Sequence, residues 1–183
     1  MRKPLLVLLL LLPALWASAQ KNTPQSYIDQ FKDDAVRIMH QTGVPASIVL
    51  GVAMHESGCG NSKLAQNLNN QFGVKGGGGA TYVSHKKTVH TAYKKYQSVY
   101  DSFQDFARIM TERTEFSGLS LNLTHFDYKG WARGIQKKGY AHDKHWSAYV
   151  MDIISKYKLY LFDEKPDTSN AQVQPTQMAQ NVK

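Results

Sequence analysis

The sequence predicts a mainly α-helical fold that carries one small β-hairpin. Three observations lead there. Apolar residues recur at helical spacing in successive stretches that open on Ser, Thr, Asp or Pro and mostly close on Gly. Only 81–83 (Thr-Tyr-Val) and 88–93 (Thr-Val-His-Thr-Ala-Tyr) join β-branched and aromatic residues in short runs, around the polar turn 84–87. The chain has 183 residues and a single cysteine, enough length for one core and no intramolecular disulfide to replace it.

The first helix opens at Thr23-Pro24 and buries Tyr27, Ile28, Phe31, Ala35, Ile38 and Met39 before Gly43 ends it. A second helix starts near Pro45, carries Ile48, Val49, Val52 and Ala53 on one face, and stops at Ser57-Gly58. A short third helix and a loop closing on Phe72-Gly73 complete the stretch 44–75, around which the chain is organised. The glycines 76–79 read as a flexible rim without strand preference, and lack the Gly-Lys-Ser/Thr of a phosphate-binding loop. Ser98 and Asp101 form a capping signal for a helix burying Val99, Phe103, Phe106, Ala107 and Met110. Residues 111–126 read as loop with some short helix. Asp127 caps a helix with Trp131, Ala132 and Ile135 inward and Gly139 at its end. The last helix turns Trp146, Tyr149, Val150, Ile153, Ile154 and Tyr157 inward.

Residues 1–19 have the pattern of a secretory signal peptide: Arg2 and Lys3, an apolar run 5–12, then Ala17-Ser18-Ala19. The run is short for a membrane span, so export without stable membrane insertion is expected, to the periplasm or the outside. Residues 20–163 would form the catalytic domain and 164–183 a polar, disordered tail. Removing Arg2 and Lys3 lowers the formal charge from +8 to +6, a basic balance that suits an anionic surface. Nucleic acid fits export poorly, and no motif for it is present.

Glu56 stands at the last turn of the second helix. Loss of water and the negative end of the helix dipole would both push its carboxyl toward the protonated form that a general acid needs. A helix-end cap or ion pair is the structural alternative. Around it, Ala53-Met54-His55-Glu56-Ser57-Gly58-Cys59-Gly60 is followed by Ser62-Lys63-Leu64-Ala65 and Asn69-Asn70-Gln71-Phe72-Gly73-Val74-Lys75-Gly76. This combined motif resembles the core of the glucosaminidase family, peptidoglycan-cleaving enzymes similar to the flagellar muramidase-type domain and to bacterial autolysins. The entry into the helix that Ser98 caps, 96–102, and the turn Gly139-Tyr140-Ala141-His142-Asp143 resemble further family features, with His142 in place of threonine. Over roughly 26–163 the resemblance implies a lysozyme-like α+β fold, the hairpin flanking the substrate groove. It also implies an endo-β-N-acetylglucosaminidase activity on peptidoglycan glycan strands, with Glu56 as the acid and no cofactor or metal. A monomer is expected.

The resemblance further places Tyr140 beside the acid. Candidate sugar contacts are Phe72, Tyr82 and Tyr93 through their rings, and Asn70 and the backbone at Gly73 through hydrogen bonds; Tyr82 and Tyr93 could equally pair across the hairpin, and Phe72 anchor the loop. One departure stands out. Many family members carry a second acidic residue in the β-lobe, yet no Asp or Glu occurs between Glu56 and Asp101 here. Three explanations are open: assistance by the substrate's own N-acetyl group, with Tyr140 orienting it; an acid from elsewhere, such as Asp101 or Asp143; or a fold that retains binding without hydrolysis. The family commonly has tryptophan where Cys59 stands.

Other chemistries fit less well. A zinc-protease helix starting at His55-Glu56 needs a second histidine at position 59, which is Cys59. His142 and His145 lack a third ligand. A Cys-His peptidase using Cys59 would need a thiol of lowered pKa and has no local signature.

Overall fold

The computed structural model describes residues 21–164. The signal-peptide pattern and the tail from 165 onward lie outside the described residues.

Among the described residues, seven α-helices, one hairpin and a closing 3-10 turn follow in order: α1 (Pro24–Thr42), α2 (Ala46–Ser57), α3 (Lys63–Leu68), β1 (Lys75–Ser84), β2 (Lys87–Tyr93), α4 (Val99–Glu112), α5 (Gly118–Asn122), α6 (Tyr128–Lys137), α7 (Trp146–Lys156) and the 3-10 helix Leu159–Phe162. The mainly helical expectation with one hairpin lobe holds. Helix α2 is the axis of the molecule. Its residues from Ala46 to Met54 are all buried, so it is apolar all round rather than on one face. Around it pack α1, α4, α6, α7 and the 3-10 helix. Gly51 lets α7 lie close: a Cβ there would come within 2.8 Å of Ile154 Cγ1.

The expected helix ends are largely those observed. Thr23 and Ser26 form a reciprocal capping box at α1, and Gly43 closes it in the left-handed region. Ser98 and Asp101 do the same at the start of α4. Helix α2 lacks a capping side chain of its own, since Pro45 is its N-cap. Asp163 supplies one from the far end of the described chain, accepting from Ser47 N at 2.8 Å and from Ser47 Oγ at 2.6 Å. Tyr149, expected inward on α7, is 46% exposed and stacks on His55 at 5.8 Å.

The hairpin departs most from expectation. Strand β1 begins at Lys75, so the glycine run belongs to it. Lys75 faces Tyr93 and the next pair is Ala80 with Thr91, so Gly76, Gly77, Gly78 and Gly79 form an irregular bulge against β2. All four have positive φ, from 68° to 118°. Only glycine adopts such a run cheaply, which is why its lack of strand preference did not keep it out of a strand. The tip turns through His85 and Lys86, both at positive φ, as a two-residue hairpin loop requires.

Candidate active site

Helix α2 ends at Ser57, and Gly58, Cys59 and Gly60 follow at positive φ, which turns the chain sharply away and leaves Glu56 projecting. Ser57 Oγ fastens this turn, donating to Ala53 O at 2.6 Å and accepting from Gly60 N at 2.7 Å. Glu56 then faces a cleft of about 640 Å³. Phe72, Gly73, Val74, Lys75 and Tyr93 line it from the root of the hairpin. Ile109, Arg113, Glu115 and Phe116 line it from the end of α4, and Lys138, Gly139, Tyr140, Ala141 and His142 from the α6–α7 turn.

The carboxylate is held from one side. Trp146, 2% exposed at the start of α7, donates its indole N–H to Glu56 Oε1 at 2.7 Å. Glu56 itself is exposed, so the loss of water expected at this helix end is absent. Tyr140 lies against Trp146 with ring centroids 5.3 Å apart, and edge-on to Phe106 and Phe116 at 5.9 and 6.2 Å. Its hydroxyl donates to Phe72 O at 3.3 Å. Burial, and then the charge of Glu56, hold the Tyr140 hydroxyl well above the usual phenol pKa, so it is a neutral donor at any physiological pH.

The cleft gathers five of the seven sequence candidates: Glu56, Tyr140, Phe72, Gly73 and Tyr93. Phe72 serves chiefly as an anchor, 4% exposed and stacked on Phe106 at 4.2 Å and 5°. Tyr93 faces Lys75, whose Nζ sits 5.6 Å from its ring centre. Asn70 is absent from the cleft lining. It is buried, and its amide is spent on backbone: it accepts from Val74 N at 3.0 Å and donates to Val74 O and Lys94 O at 2.9 Å. That clamp ties the loop 70–74 to the end of β2, which fixes Phe72 and Gly73 at the cleft. Tyr82 lies outside the cleft lining, toward the hairpin tip, and pairs with Val89, while Tyr93 pairs with Lys75. The two tyrosines are therefore not a cross-strand pair.

The proposed alternative acids are occupied elsewhere. Asp101 accepts from Ser98 N at 3.0 Å in the α4 cap, and Asp143 accepts from His145 N at 2.8 Å. Neither lines the cleft. Cys59 lies outside it as well, and burial pushes its thiol pKa up, against the lowered value a nucleophilic thiol needs. Among the described residues no cluster of three or more His, Cys, Asp or Glu side chains is arranged to hold a metal ion.

Sequence reasoning missed Trp146 as a partner of Glu56, and Glu115, Arg113, Lys138 and Lys75 as cleft residues. Trp146 was legible only as core. Glu115 lay in the stretch 111–126, whose weak periodicity carried no signal.

The chain resembles known proteins in both sequence and fold. The family model described as mannosyl-glycoprotein endo-beta-N-acetylglucosaminidase (Glucosaminidase) matches residues 32–159. The exo-glucosaminidase LytG of Bacillus subtilis is 30% identical over 151 residues, covering 76% of this chain and 54% of LytG. The peptidoglycan hydrolase FlgJ of Vibrio parahaemolyticus is 26% identical over 155 residues, covering 75% of this chain and 49% of FlgJ. The chain thus spans about half the length of these relatives. Among solved structures, the catalytic domain of the autolysin Auto from Listeria monocytogenes has a TM-score of 0.64 at 24% identity, over 80% of this chain and 91% of that one. The glycoside hydrolase domain of FlgJ from Salmonella typhimurium has 0.60 at 22%, over 75% and 89%. These two likenesses establish the fold. With most of its described residues inside the family match, and Glu56 placed on the cleft, this chain belongs to the glucosaminidase family.

Proposed function

We propose that this protein is an exported peptidoglycan hydrolase that cuts β-linked N-acetylglucosamine glycan strands, with Glu56 as general acid. The observation that carries the reading is the seating of Glu56. One oxygen, Oε1, is pinned by the buried Trp146 indole, while Oε2 has no hydrogen bond among the described residues, and the residue lines the cleft. A carboxyl oriented through one oxygen can deliver a proton from the other to a glycosidic oxygen. Tyr140, a neutral hydroxyl on the same wall, can turn its one O–H from Phe72 O to the substrate's N-acetyl carbonyl, or steady the developing charge. The ring of Tyr93 supplies flat apolar surface at the hairpin root. Lys75, Arg113 and Lys138 would meet the carboxylates of stem peptides.

Cleavage within strands is the reading that the family resemblance favours. Exo action is the second reading, supported by the 30% identity with a relative named an exo-glucosaminidase. Export rests on the pattern of residues 1–19, and leads to the periplasm or the outside. A binding protein without hydrolytic activity is the outcome the experiment must exclude.

The test compares mature protein with Glu56→Gln on purified peptidoglycan, reading released fragments by mass spectrometry after borohydride reduction. Fragments with reduced glucosamine ends from wild type alone support the proposal, and their size separates endo from exo release. No release by either, with both sedimenting with the sacculi, means a binder.

A further inference from the structure

We infer that Glu115 is the second carboxylate of this cleft, acting as the general base that activates water in place of the β-lobe acid this chain lacks. The inference rests on the hydrolase reading above. Among the described residues, only two acidic side chains line the cleft, Glu56 and Glu115. They come from different parts of the fold, the end of α2 and the turn after α4. That turn is well made: Phe116 N and Ser117 N both donate to Arg113 O, at 2.9 and 2.8 Å, and Phe116 is 7% exposed. Glu115 therefore sits on a fixed support next to an anchored ring.

The nearby acids are engaged, and Glu115 is not. Asp105 receives Lys94 Nζ at 2.8 Å, Tyr96 OH at 2.7 Å and the Arg108 guanidinium. Asp101 and Asp127 cap α4 and α6, and Glu112 pairs with Arg108. Glu115 has no hydrogen-bond or ion-pair partner among the described residues, and it is exposed, so both oxygens are open to water. A chain of aromatic contacts separates it from the acid. Phe116, adjacent to Glu115, lies 6.2 Å from Tyr140, Tyr140 lies 5.3 Å from Trp146, and Trp146 holds Glu56. Both carboxyls border one cleft of about 640 Å³, which has room for a sugar ring and a water. Inverting glycosidases need such room, their carboxyls standing about 6.5–9.5 Å apart, against about 5 Å where the second acts as nucleophile.

The step balances with water as the sole co-reactant. Glu115 takes a proton from water as the water oxygen bonds to the anomeric carbon. The bond from that carbon to the glycosidic oxygen breaks, its electron pair goes to the oxygen, and the Glu56 carboxyl protonates it. Glu115 then releases its proton to solvent and Glu56 regains one.

The test measures wild type, Glu56→Gln, Glu115→Gln, Glu115→Asp and Glu115→Ala on soluble glycan fragments, with thermal unfolding of each. Expected for Glu115→Gln is a fall in kcat of about 100-fold or more, with KM and unfolding midpoint near wild type, because general bases contribute roughly 10²–10⁴. Glu115→Asp should keep part of the rate, and azide should restore turnover of Glu115→Ala with an α-glycosyl azide as product. A wild-type kcat in Glu115→Gln, while Glu56→Gln is dead, overturns the inference and leaves the hydrolase reading standing; the N-acetyl group would then be the internal nucleophile. A net retention of configuration at the anomeric carbon also overturns it. A wild type that releases nothing overturns the functional reading and this inference together.

Discussion

Asp163 should make the protein less stable as pH rises through the mildly acidic range. The side chain is 2% exposed and caps α2 through two bonds from Ser47. Two physical effects compete there. Burial disfavours the anion, while the Ser47 bonds and the positive end of the α2 dipole favour it. Burial is the larger, and pushes the Asp163 pKa up to about 6. An unfolded aspartate titrates near 3.9. Because the folded value is the higher one, the folded state holds the proton more tightly. The contribution is fully present below about pH 4 and is lost as pH climbs to about 6, after which it is flat. A shift of about two units corresponds to roughly 3 kcal/mol, a sizeable part of the 5–15 kcal/mol typical of a domain.

The assay is urea unfolding of the mature wild type and of Asp163→Asn at half-unit steps from pH 3.5 to 7.5. Subtracting the two curves cancels every other titrating group. One of those has the opposite sign: burial raises Asp105, but the bonds from Lys94, Tyr96 and Arg108 outweigh it and bring its pKa down to about 2. Its contribution is present above about pH 4 and is lost as pH falls toward 2. The expected difference is a wild-type advantage over Asp163→Asn that shrinks by roughly 3 kcal/mol between pH 4 and 6. Parallel curves, or an advantage that grows over that interval, would refute the reasoning. They would mean that the helix terminus and Ser47 hold Asp163 as an anion despite its burial.

Two further outcomes follow from the cleft. Trp146→Phe keeps most of the ring volume and removes the bond to Glu56; a hydrogen bond to a charged group is worth about 1.5–3 kcal/mol, so kcat should fall roughly 10- to 100-fold with KM little changed, measured on soluble glycan fragments. Because burial pushes the Cys59 thiol up and the residue lies off the cleft, iodoacetamide should leave peptidoglycan release intact and Cys59→Ala should match wild type; inactivation by the reagent in wild type alone would revive a thiol mechanism.

The helical frame was legible because its signals are local. Thr23, Ser98 and Asp127 mark helix starts by chemistry acting within one turn, and Gly43 and Gly58 mark ends through a backbone geometry few other residues accept. What escaped was set by distant partners. Asn70 has the composition of a sugar ligand, and only the positions of Val74 and Lys94 show that its amide is consumed. The glycine run is featureless as sequence, and its place in β1 depends on pairing with β2. Glu56 was found through its motif. Its exposure could not be read from the helix that carries it, because that helix is buried along nearly its whole length and turns away one residue later.

The same contrast explains how the cleft works as a unit. A charged side chain at the end of a helix buried along nearly its whole length is costly unless the chain leaves at once and a donor meets it. Gly58, Cys59 and Gly60 provide the exit through three successive positive φ angles, and Trp146 provides the donor. Trp146 is also core, tying α7 to the Glu56 end of α2, so the packing that stabilises the fold is what aims the carboxylate. The hairpin is attached differently. Its root is clamped by Asn70 and lines the cleft at Lys75 and Tyr93, while its tip carries Val83 at 66% exposure. The acid thus stands on the packed core, and the clamped root that lines the cleft joins the outer hairpin through a bulge of four glycines at positive φ.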